Sequence, residues 1–189
     1  MICDCSGETS VQTCALPIFM ICDCSGETSV LSDIRNQYPT LAREGYDKVL
    51  GLRDVYPKAA TEAPKMLSAM AAFIPKGAVP VEMLLAVAEI EAWFLSEGTH
   101  YQKIHADLTA DVVNRLLGGP PDQVDVESVS HPANLLDNIY RAVGLRYTKQ
   151  RNRIERTINE LDCALLYLDA SLRVPSLGRF CRELDLFLT

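Results

Sequence analysis

The sequence lacks any long hydrophobic run. Its longest apolar stretch, residues 78–88, already contains Glu82, whereas a membrane-spanning helix needs about 18 to 20 predominantly apolar residues. We therefore predict no membrane partner. Residues 1–19 contain Asp4 and Glu8 and lack the basic start of a secretory signal. From this we expect a cytoplasmic protein with reduced cysteines.

Basic residues and nucleotide-binding motifs are also scarce. The chain has 18 Lys and Arg against 25 Asp and Glu, a formal net charge of −7. This balance argues against a protein that coats nucleic acid through a broadly basic surface, although a local basic patch remains open. The sequence contains no GxxxxGKS or GxxxxGKT, no GxGxxG and no GxSxG. It therefore lacks the signatures of P-loop hydrolases, dinucleotide-binding enzymes and α/β-hydrolases.

An identical repeat occurs at the start of the chain. Residues 1–11 and 20–30 both read MICDCSGETSV, with QTCALPIF between them. Structural repeats diverge in sequence and need about three copies to bury a shared core. Residues 11–19 also resemble a translated sequencing adapter of the kind found in assembled metagenomic reads. We interpret residues 1–19 as a duplication or assembly artefact and exclude them from the fold.

The cysteines do not predict a zinc site. Removing residues 1–19 leaves four of the seven, Cys22, Cys24, Cys163 and Cys181. Structural zinc sites usually use CxxC or looser spacing rather than the CxC of Cys22 and Cys24. Cys163 lies in an apolar helical pattern, which predicts a buried side chain.

Residues 20–97 alternate between strand and helix patterns. The predicted strands are Met20–Cys24, Tyr46–Val55 and Val79–Val87, and the predicted helices are Ser29–Arg43, cut short by Pro39, Thr61–Phe73 and Ala88–Ser96. This alternation is typical of right-handed βαβ crossovers. We therefore predict an α/β fold with a small parallel sheet and flanking helices.

Residues 98–189 are helical in pattern. The predicted helices are Thr109–Leu117, a helix from Ser130 or His131 to Val143, Asn152–Leu168 and Pro175–Phe187. The third of these has a predicted core stripe of Ile154, Ile158, Leu161, Leu165 and Leu168. The GGPP run at 118–121 is the only linker-like element. We expect a helical C-terminal appendage that packs on the sheet rather than a separate domain.

Acidic residues follow two of the predicted strands. Asp54 ends the second strand, and Glu89 and Glu91 follow the third. Acids at a helix start are favourable for structural reasons alone, and this is one interpretation. Alternatively, because ligands bind beyond the carboxyl ends of parallel strands, the three carboxylates could hold Mg²⁺ or Mn²⁺. The cation would stabilise charge on a phosphoryl oxygen.

Three further features leave two interpretations open. A local basic cluster consists of Arg146, Lys149, Arg151, Arg153 and Arg156. It is either a solvated helix start or a contact for a phosphate backbone. Trp93 is interpreted as a core residue, with base stacking as the alternative. His131 is interpreted as a helix-start residue rather than a metal ligand, because no second histidine lies at metal-binding spacing.

Four segments carry a family resemblance. They are GYDKVLGLRDVYP (45–57), AVAEIEAWFLSE (86–97), HPANLLDNIYRAVGLRYTKQ (131–150) and VPSLGRF (174–180). In this order they resemble a bacterial family of uncharacterised proteins with a TOPRIM-like domain, similar to the nuclease domains of overcoming-lysogenization-defect and RloB-type phage-defence proteins. The resemblance covers residue 21 to the C-terminus.

The resemblance implies a compact domain that holds Mg²⁺ for phosphodiester chemistry. Asp54 matches the first acid of the family's Asp-x-Asp pair, and Glu91 matches the acid after the later strand. Tyr56 stands where the second acid of the pair is expected. The family's upstream strand, with its Glu–Gly turn, has no counterpart at a suitable distance from Asp54. We therefore expect that the first strand of the domain is missing from this chain.

Two functional hypotheses follow. The first is a Mg²⁺- or Mn²⁺-dependent nuclease in which Asp54 and Glu91 are catalytic. Its metal ligands are Asp54, Glu89 and Glu91, and its nucleic-acid contacts are Tyr147, Lys149, Arg151 and Arg153. The second is a non-catalytic binding or regulatory module with a degenerate TOPRIM-like fold, whose partner is a nucleic acid or another protein of a defence system.

Overall fold

A computed structural model describes residues 20–22, 24 and 29–188, without the side chains of Ser29, Phe187 and Leu188. The first copy of the repeat lies outside the described residues, so its interpretation as an artefact stays a prediction. The strand predicted at Met20–Cys24 is wrong for the described part of that segment, which contains no strand. Ile21 is 96 % exposed there, so the segment buries no apolar side chain that would favour pairing with the sheet.

The described part of the chain has one two-stranded parallel sheet. Its elements are α1 (Ser29–Glu44), β1 (Val49–Asp54), a 3-10 turn (Ala60–Glu62), α2 (Ala63–Ala71) and β2 (Val81–Ala86). The register runs from the pair Val49–Val81 to the pair Asp54–Ala86. The predicted small parallel sheet with flanking helices is confirmed, with two strands among the described residues rather than three.

Pro39 does not shorten α1, contrary to the prediction. A proline inside a helix removes one hydrogen bond and costs about 3 kcal/mol. Tertiary contacts on both sides of Pro39 hold the helix together: Ile34 and Leu41 are buried, and the Tyr38 hydroxyl donates to the Val79 carbonyl oxygen at 3.0 Å.

The rest of the described chain is helical. The helices are α3 (Glu91–Ser96), α4 (His100–Ile104), α5 (Ala110–Leu117), a 3-10 turn (Val126–Ser128), α6 (Pro132–Arg141), α7 (Arg151–Ile158), α8 (Cys163–Leu165), a π-helix (Leu166–Ala170), α9 (Ser171–Arg173) and α10 (Pro175–Leu188). None of the helices in the described ranges is long and apolar enough to cross a membrane.

The single helix predicted over Asn152–Leu168 is wrong. Helix α7 ends at Ile158, and the Asp162 side chain accepts hydrogen bonds from the amides of Ala164 and Leu165 to start a new helix. The predicted core stripe is broken as a result, and its members Ile158, Leu165 and Leu168 are 47 %, 38 % and 66 % exposed. Cys163, which follows the cap, is exposed rather than buried.

Two apolar clusters occupy the two faces of the sheet, because successive side chains of a strand point to opposite faces. The smaller cluster contains Ile34, Val55, Met66, Met70, Met83 and Leu85. The larger one joins Ala86 to the C-terminal helices through residues such as Trp93, Leu136 and Tyr140. Trp93 is a core residue, as predicted, and its indole nitrogen donates to Ser176 Oγ at 2.8 Å.

Ion pairs tie the last helix to the sheet region. Arg179 of α10 pairs with Glu82 of β2, and Glu183 pairs with Lys48, which directly precedes β1, at 2.5 Å. Helix α10 is consequently fixed against β2, and the chain passes from the carboxyl end of β2 towards α3.

Candidate functional site

The site begins where β1 and β2 end side by side. The amide of Val55 donates to the Ala86 carbonyl at 2.9 Å, and the amide of Tyr56 donates to the Ala88 carbonyl at 2.8 Å. Ala88 has a φ of +61°, a left-handed conformation that alanine rarely adopts and that costs energy. This turn explains why α3 begins at Glu91 and not at Ala88 as predicted.

Asp54, the last residue of β1, holds the start of α3. Its Oδ1 accepts a hydrogen bond from the Ile90 amide at 3.0 Å, and Ile90 is the N-cap residue of α3. Its Oδ2 lies 3.8 Å from the ammonium nitrogen of Lys149. One oxygen of Asp54 is therefore committed to the backbone, and the other faces Lys149.

Glu89 uses its carboxylate in the same way. Its Oε2 accepts a hydrogen bond from the Ala133 amide in the first turn of α6, at 3.1 Å. Its Oε1 lies 3.1 Å from Lys149 Nζ. The backbone contact joins Glu89 to the start of α6 rather than to the start of its own helix, and the second oxygen accepts a hydrogen bond from Lys149. The interpretation of Glu89 as a metal ligand stays a prediction.

Glu91 is the most deeply buried of the three carboxylates, at 2 % exposure. The Tyr147 hydroxyl donates to Glu91 Oε1 at 2.9 Å. Burial raises the pKa of Tyr147, and Glu91 raises it further, so the phenol keeps its proton and remains a donor. Glu91 Oε2 lies 3.7 Å from Lys149 Nζ and accepts no hydrogen bond from the residues that the structure describes.

The three carboxylates thus share one arrangement. Each has one oxygen held by a hydrogen-bond donor and the other directed at Lys149 Nζ, at 3.1 to 3.8 Å. Lys149 is half exposed, whereas the side chains of Glu89 and Glu91 are almost fully buried. With all three carboxylates ionised, one ammonium leaves the group with a formal charge of −2.

The charges of the site act on one another. Burial, together with the neighbouring Glu91 and Glu89, raises the pKa of Asp54 to about 6, against the opposing effects of Lys149 and the Ile90 amide. Burial lowers the pKa of Lys149, but Glu91, Glu89 and Asp54 outweigh this effect and raise it above its usual value. Lys149 consequently remains protonated, and Asp54 is the carboxyl that ionises close to neutral pH.

Asp137 orders the segment that supplies Tyr147 and Lys149. Its Oδ1 accepts from the Tyr147 amide at 2.9 Å and from Arg146 Nε at 3.0 Å, and its Oδ2 accepts from Arg141 Nε at 2.8 Å. Sequence reasoning missed this role. The available signal was an acid in the middle of the apolar face of a helix, four residues before an arginine.

The other predicted nucleic-acid contacts lie apart from this arrangement. Arg151 starts α7, is 92 % exposed and pairs with Glu155 at 2.8 Å. Arg153 is partly buried on the same helix. Arg156 lies over the Tyr140 ring, 5.4 Å from its centroid. Tyr147 is 3 % exposed and its hydroxyl is committed to Glu91.

The carboxylates fit a hard divalent cation in their chemistry. Mg²⁺ and Mn²⁺ prefer carboxylate oxygens, and Glu91 Oε2 is a buried oxygen without a hydrogen-bond donor among the described residues. No group of three acidic, cysteine or histidine side chains in the described ranges is already arranged as a metal site. The oxygens surround Lys149 Nζ instead, so a cation would have to displace this ammonium.

An aromatic pair that sequence reasoning missed lies beside the carboxylates. The rings of Tyr56 and His131 meet edge to face, with their centroids 5.6 Å apart. Tyr56 follows Asp54 by two residues, and His131 precedes α6. They are about 75 positions apart in the sequence, so their spacing gave no signal of this contact.

No protein-family model, no curated protein and no solved structure matches this chain. The resemblance to TOPRIM-like defence nucleases therefore stays a prediction.

Proposed function

We propose that this protein is a TOPRIM-like phosphoryl-transfer enzyme that cleaves nucleic acid with the help of Mg²⁺ or Mn²⁺. The observation that carries the proposal is the common arrangement of Asp54, Glu89 and Glu91. Each presents one oxygen to the same point while the other is fixed by a donor. An excess of negative charge at one edge of a parallel sheet favours a divalent cation.

In this proposal the side chains have separate tasks. The bound cation would neutralise charge on a phosphate oxygen. Asp54 would hold it from the end of β1 and Glu91 from the start of α3, with Glu89 as the third carboxylate. Tyr147 orients Glu91 from the interior. Lys149, once the cation has displaced it from the carboxylates, would contact the phosphate with its ammonium group. Arg151 and Arg153 would contact neighbouring phosphates of the nucleic-acid backbone.

The first test is cation binding and cleavage by the full chain. We expect Mn²⁺ to bind in isothermal titration calorimetry and to raise the melting temperature. Loss of one ligand, in Asp54→Asn or Glu91→Gln, should weaken binding by at least about tenfold. Both variants should also lose cleavage of labelled DNA or RNA. Asp111→Asn is the matched control, because this exposed carboxylate lies in the first turn of α5 and should leave both readouts unchanged.

Two results would contradict the proposal. One is cleavage that persists in both Asp54→Asn and Glu91→Gln at the rate of the unaltered protein. The other is the absence of any cation-induced change in heat or melting temperature at millimolar Mn²⁺. Cleavage that survives in chelator is equivalent to the first result, because in both cases the reaction does not need a cation held by these carboxylates.

The second candidate is a non-catalytic binding module of a defence system. It is favoured by the position of Lys149, whose ammonium already contacts all three carboxylates, and by Tyr56 in place of a second acid. Lys149→Met distinguishes the two candidates. In the enzyme it should strengthen Mn²⁺ binding and reduce cleavage, because it removes both the competing charge and the phosphate contact. In the module it should destabilise the fold with no gain in cation affinity.

A further inference from the structure

The aromatic pair of Tyr56 and His131 has no task in the proposed cation chemistry. Its rings lie at an interplanar angle of 73°. In such a pair one ring presents its edge, so both faces of that ring stay uncovered by the other. His131 is exposed and Tyr56 is partly exposed. The pair therefore offers π-surface to a ligand at the edge of the sheet.

Backbone hydrogen bonds fix this pair to the carboxylate-bearing turn. The amide of Tyr56 donates to the carbonyl of Ala88, the residue before Glu89, at 2.8 Å. On the other side, the amide of Ala133, two residues after His131, donates to Glu89 Oε2 at 3.1 Å. The backbone that carries each ring is consequently tied to the same short segment that positions the candidate cation ligands.

We propose that Tyr56 and His131 form a base-binding subsite that stacks an unpaired nucleobase beside the carboxylates. The choice of ligand rests on the proposed function, because a phosphate held at the carboxylates brings its own nucleotide's base to this edge. Stacking on aromatic rings accepts any base, since every base has a π-face. In a duplex these faces are covered by neighbouring base pairs. The substrate class is therefore single-stranded nucleic acid.

The charge around the pair agrees with this ligand. Lys149 places an ammonium next to Asp54, two residues before Tyr56, where it can meet a phosphate adjoining the stacked base. The overall charge of −7 disfavours binding through long-range attraction to a duplex. Stacking on one unpaired base compensates for this unfavourable charge. A duplex offers no unpaired base and therefore cannot gain this contact.

The test is oligonucleotide binding by the full chain, measured by fluorescence anisotropy both in chelator and with Ca²⁺, a hard cation that carboxylates can hold. The probes are single-stranded DNA and RNA of about 12 nucleotides, a length within the range of known single-strand sites, and the duplex of the same sequence. We expect single strands to bind more tightly than the duplex. Tyr56→Leu and His131→Leu should each weaken single-strand binding by about 5- to 100-fold, whereas Tyr56→Phe should retain most of it.

Phe73→Leu is the matched control. This aromatic side chain is 59 % exposed and lies between α2 and β2, at the opposite end of the crossover from the carboxylates. It should bind both probes like the unaltered protein. Circular dichroism and the melting temperature report whether each variant folds, and His131→Leu gives an answer even if Tyr56→Leu is unstable.

The inference is wrong if folded Tyr56→Leu and His131→Leu bind single strands as tightly as the unaltered protein does. It is also wrong if the unaltered protein binds no oligonucleotide, or binds the duplex at least as tightly. These outcomes are separate from the fate of the proposed function. Single-strand binding through Tyr56 without cation-dependent cleavage contradicts the nuclease alone, and cleavage that is indifferent to Tyr56→Leu contradicts the subsite alone.

Discussion

At the scale of single residues, the carboxylates of the site combine a structural and a chemical task. Asp54 Oδ1 and Glu89 Oε2 hold the starts of α3 and α6, which is the structural interpretation that helix-start acids always allow. Their second oxygens, with Glu91 Oε2, surround Lys149. Sequence patterns presented these two interpretations as alternatives, but one carboxylate has two oxygens and can satisfy both.

Asp54 should make stability depend on pH. Its folded-state pKa of about 6 lies above the ordinary value of 3.8, so the folded protein binds this proton more tightly than the unfolded chain does. The stabilisation is fully present below about pH 4 and is lost as the pH rises through about 6. Asp54→Asn keeps an acceptor for the Ile90 amide and does not ionise. We therefore expect the difference in free energy of unfolding between the variant and the unaltered protein to shift in favour of the variant as the pH rises from about 4 to about 7.

Urea denaturation in chelator at several pH values measures this difference. Asp111→Asn, which changes an exposed side chain in the first turn of α5, is the control for a general effect of removing an acid. A gain for Asp54→Asn that stays constant across the pH range would show that Asp54 ionises alike in the folded and unfolded states.

His100 makes a buried polar contact that its position in the sequence does not indicate. No motif in the sequence marks this residue. In the structure His100 is fully buried, and its Nδ1 lies 3.0 Å from Glu97 Oε2. Burial raises the pKa of Glu97, but hydrogen bonds from His100 and Thr99 outweigh it and lower the pKa to about 2. This pair is a buried polar contact of the C-terminal core, next to α3 but separate from the three carboxylates.

At the scale of elements, the packing of the C-terminal half depends on how closely its helices approach one another. Gly178 of α10 lies so near the π–α9 segment that a Cβ atom there would collide with the backbone carbonyl oxygen of Ser171. A backbone atom cannot rotate away as a side chain can. Gly178 is therefore the position that lets α10 pack against α9.

Gly178→Ala should force these two elements apart. We expect a loss of about 1–3 kcal/mol in free energy of unfolding, the usual cost of overpacking, although alanine has the higher helix propensity. Urea denaturation measures the loss. Leu186→Ala is the control, since Leu186 is 69 % exposed on the same helix and should change stability by no more than about 0.5 kcal/mol. Equal stability of the two variants would disprove the close packing.

At the scale of the whole molecule, the two apolar clusters differ greatly in size. The larger one unites the C-terminal helices with one face of the sheet, while the smaller one packs α1 and α2 on the other face. The free energy of opening a region rises with the apolar surface that it buries. The α1–α2 side should consequently open more easily than the α6 side.

Amide hydrogen exchange under native conditions tests this difference. We expect the amides around Met66 and Met70 in α2 to exchange faster, through a smaller opening free energy, than those around Leu136 and Tyr140 in α6. The difference should shrink as urea brings both regions towards global unfolding. Equal protection of α2 and α6 without denaturant would instead indicate a single cooperative unit.

The sequence alone determined the class of fold and the acids of the site. Short apolar runs within 46–55 and 79–87, with a helical pattern between them, were sufficient to predict two parallel strands, because local patterning and crossover handedness do not depend on distant residues. Strand ends also located Asp54, Glu89 and Glu91. The same local reasoning failed at Pro39 and at Ile158, where packing and the Asp162 cap override periodicity.

Only the tertiary structure decided what surrounds these acids. Lys149 and Tyr147 reach them from a segment ordered by Asp137, and His131 reaches Tyr56 from the start of α6. Such contacts join residues that are about 56 to 95 positions apart, over which no sequence period extends. They exist because burying the C-terminal helices on one face of the sheet brings α6 and the 145–150 segment over the carboxyl ends of both strands.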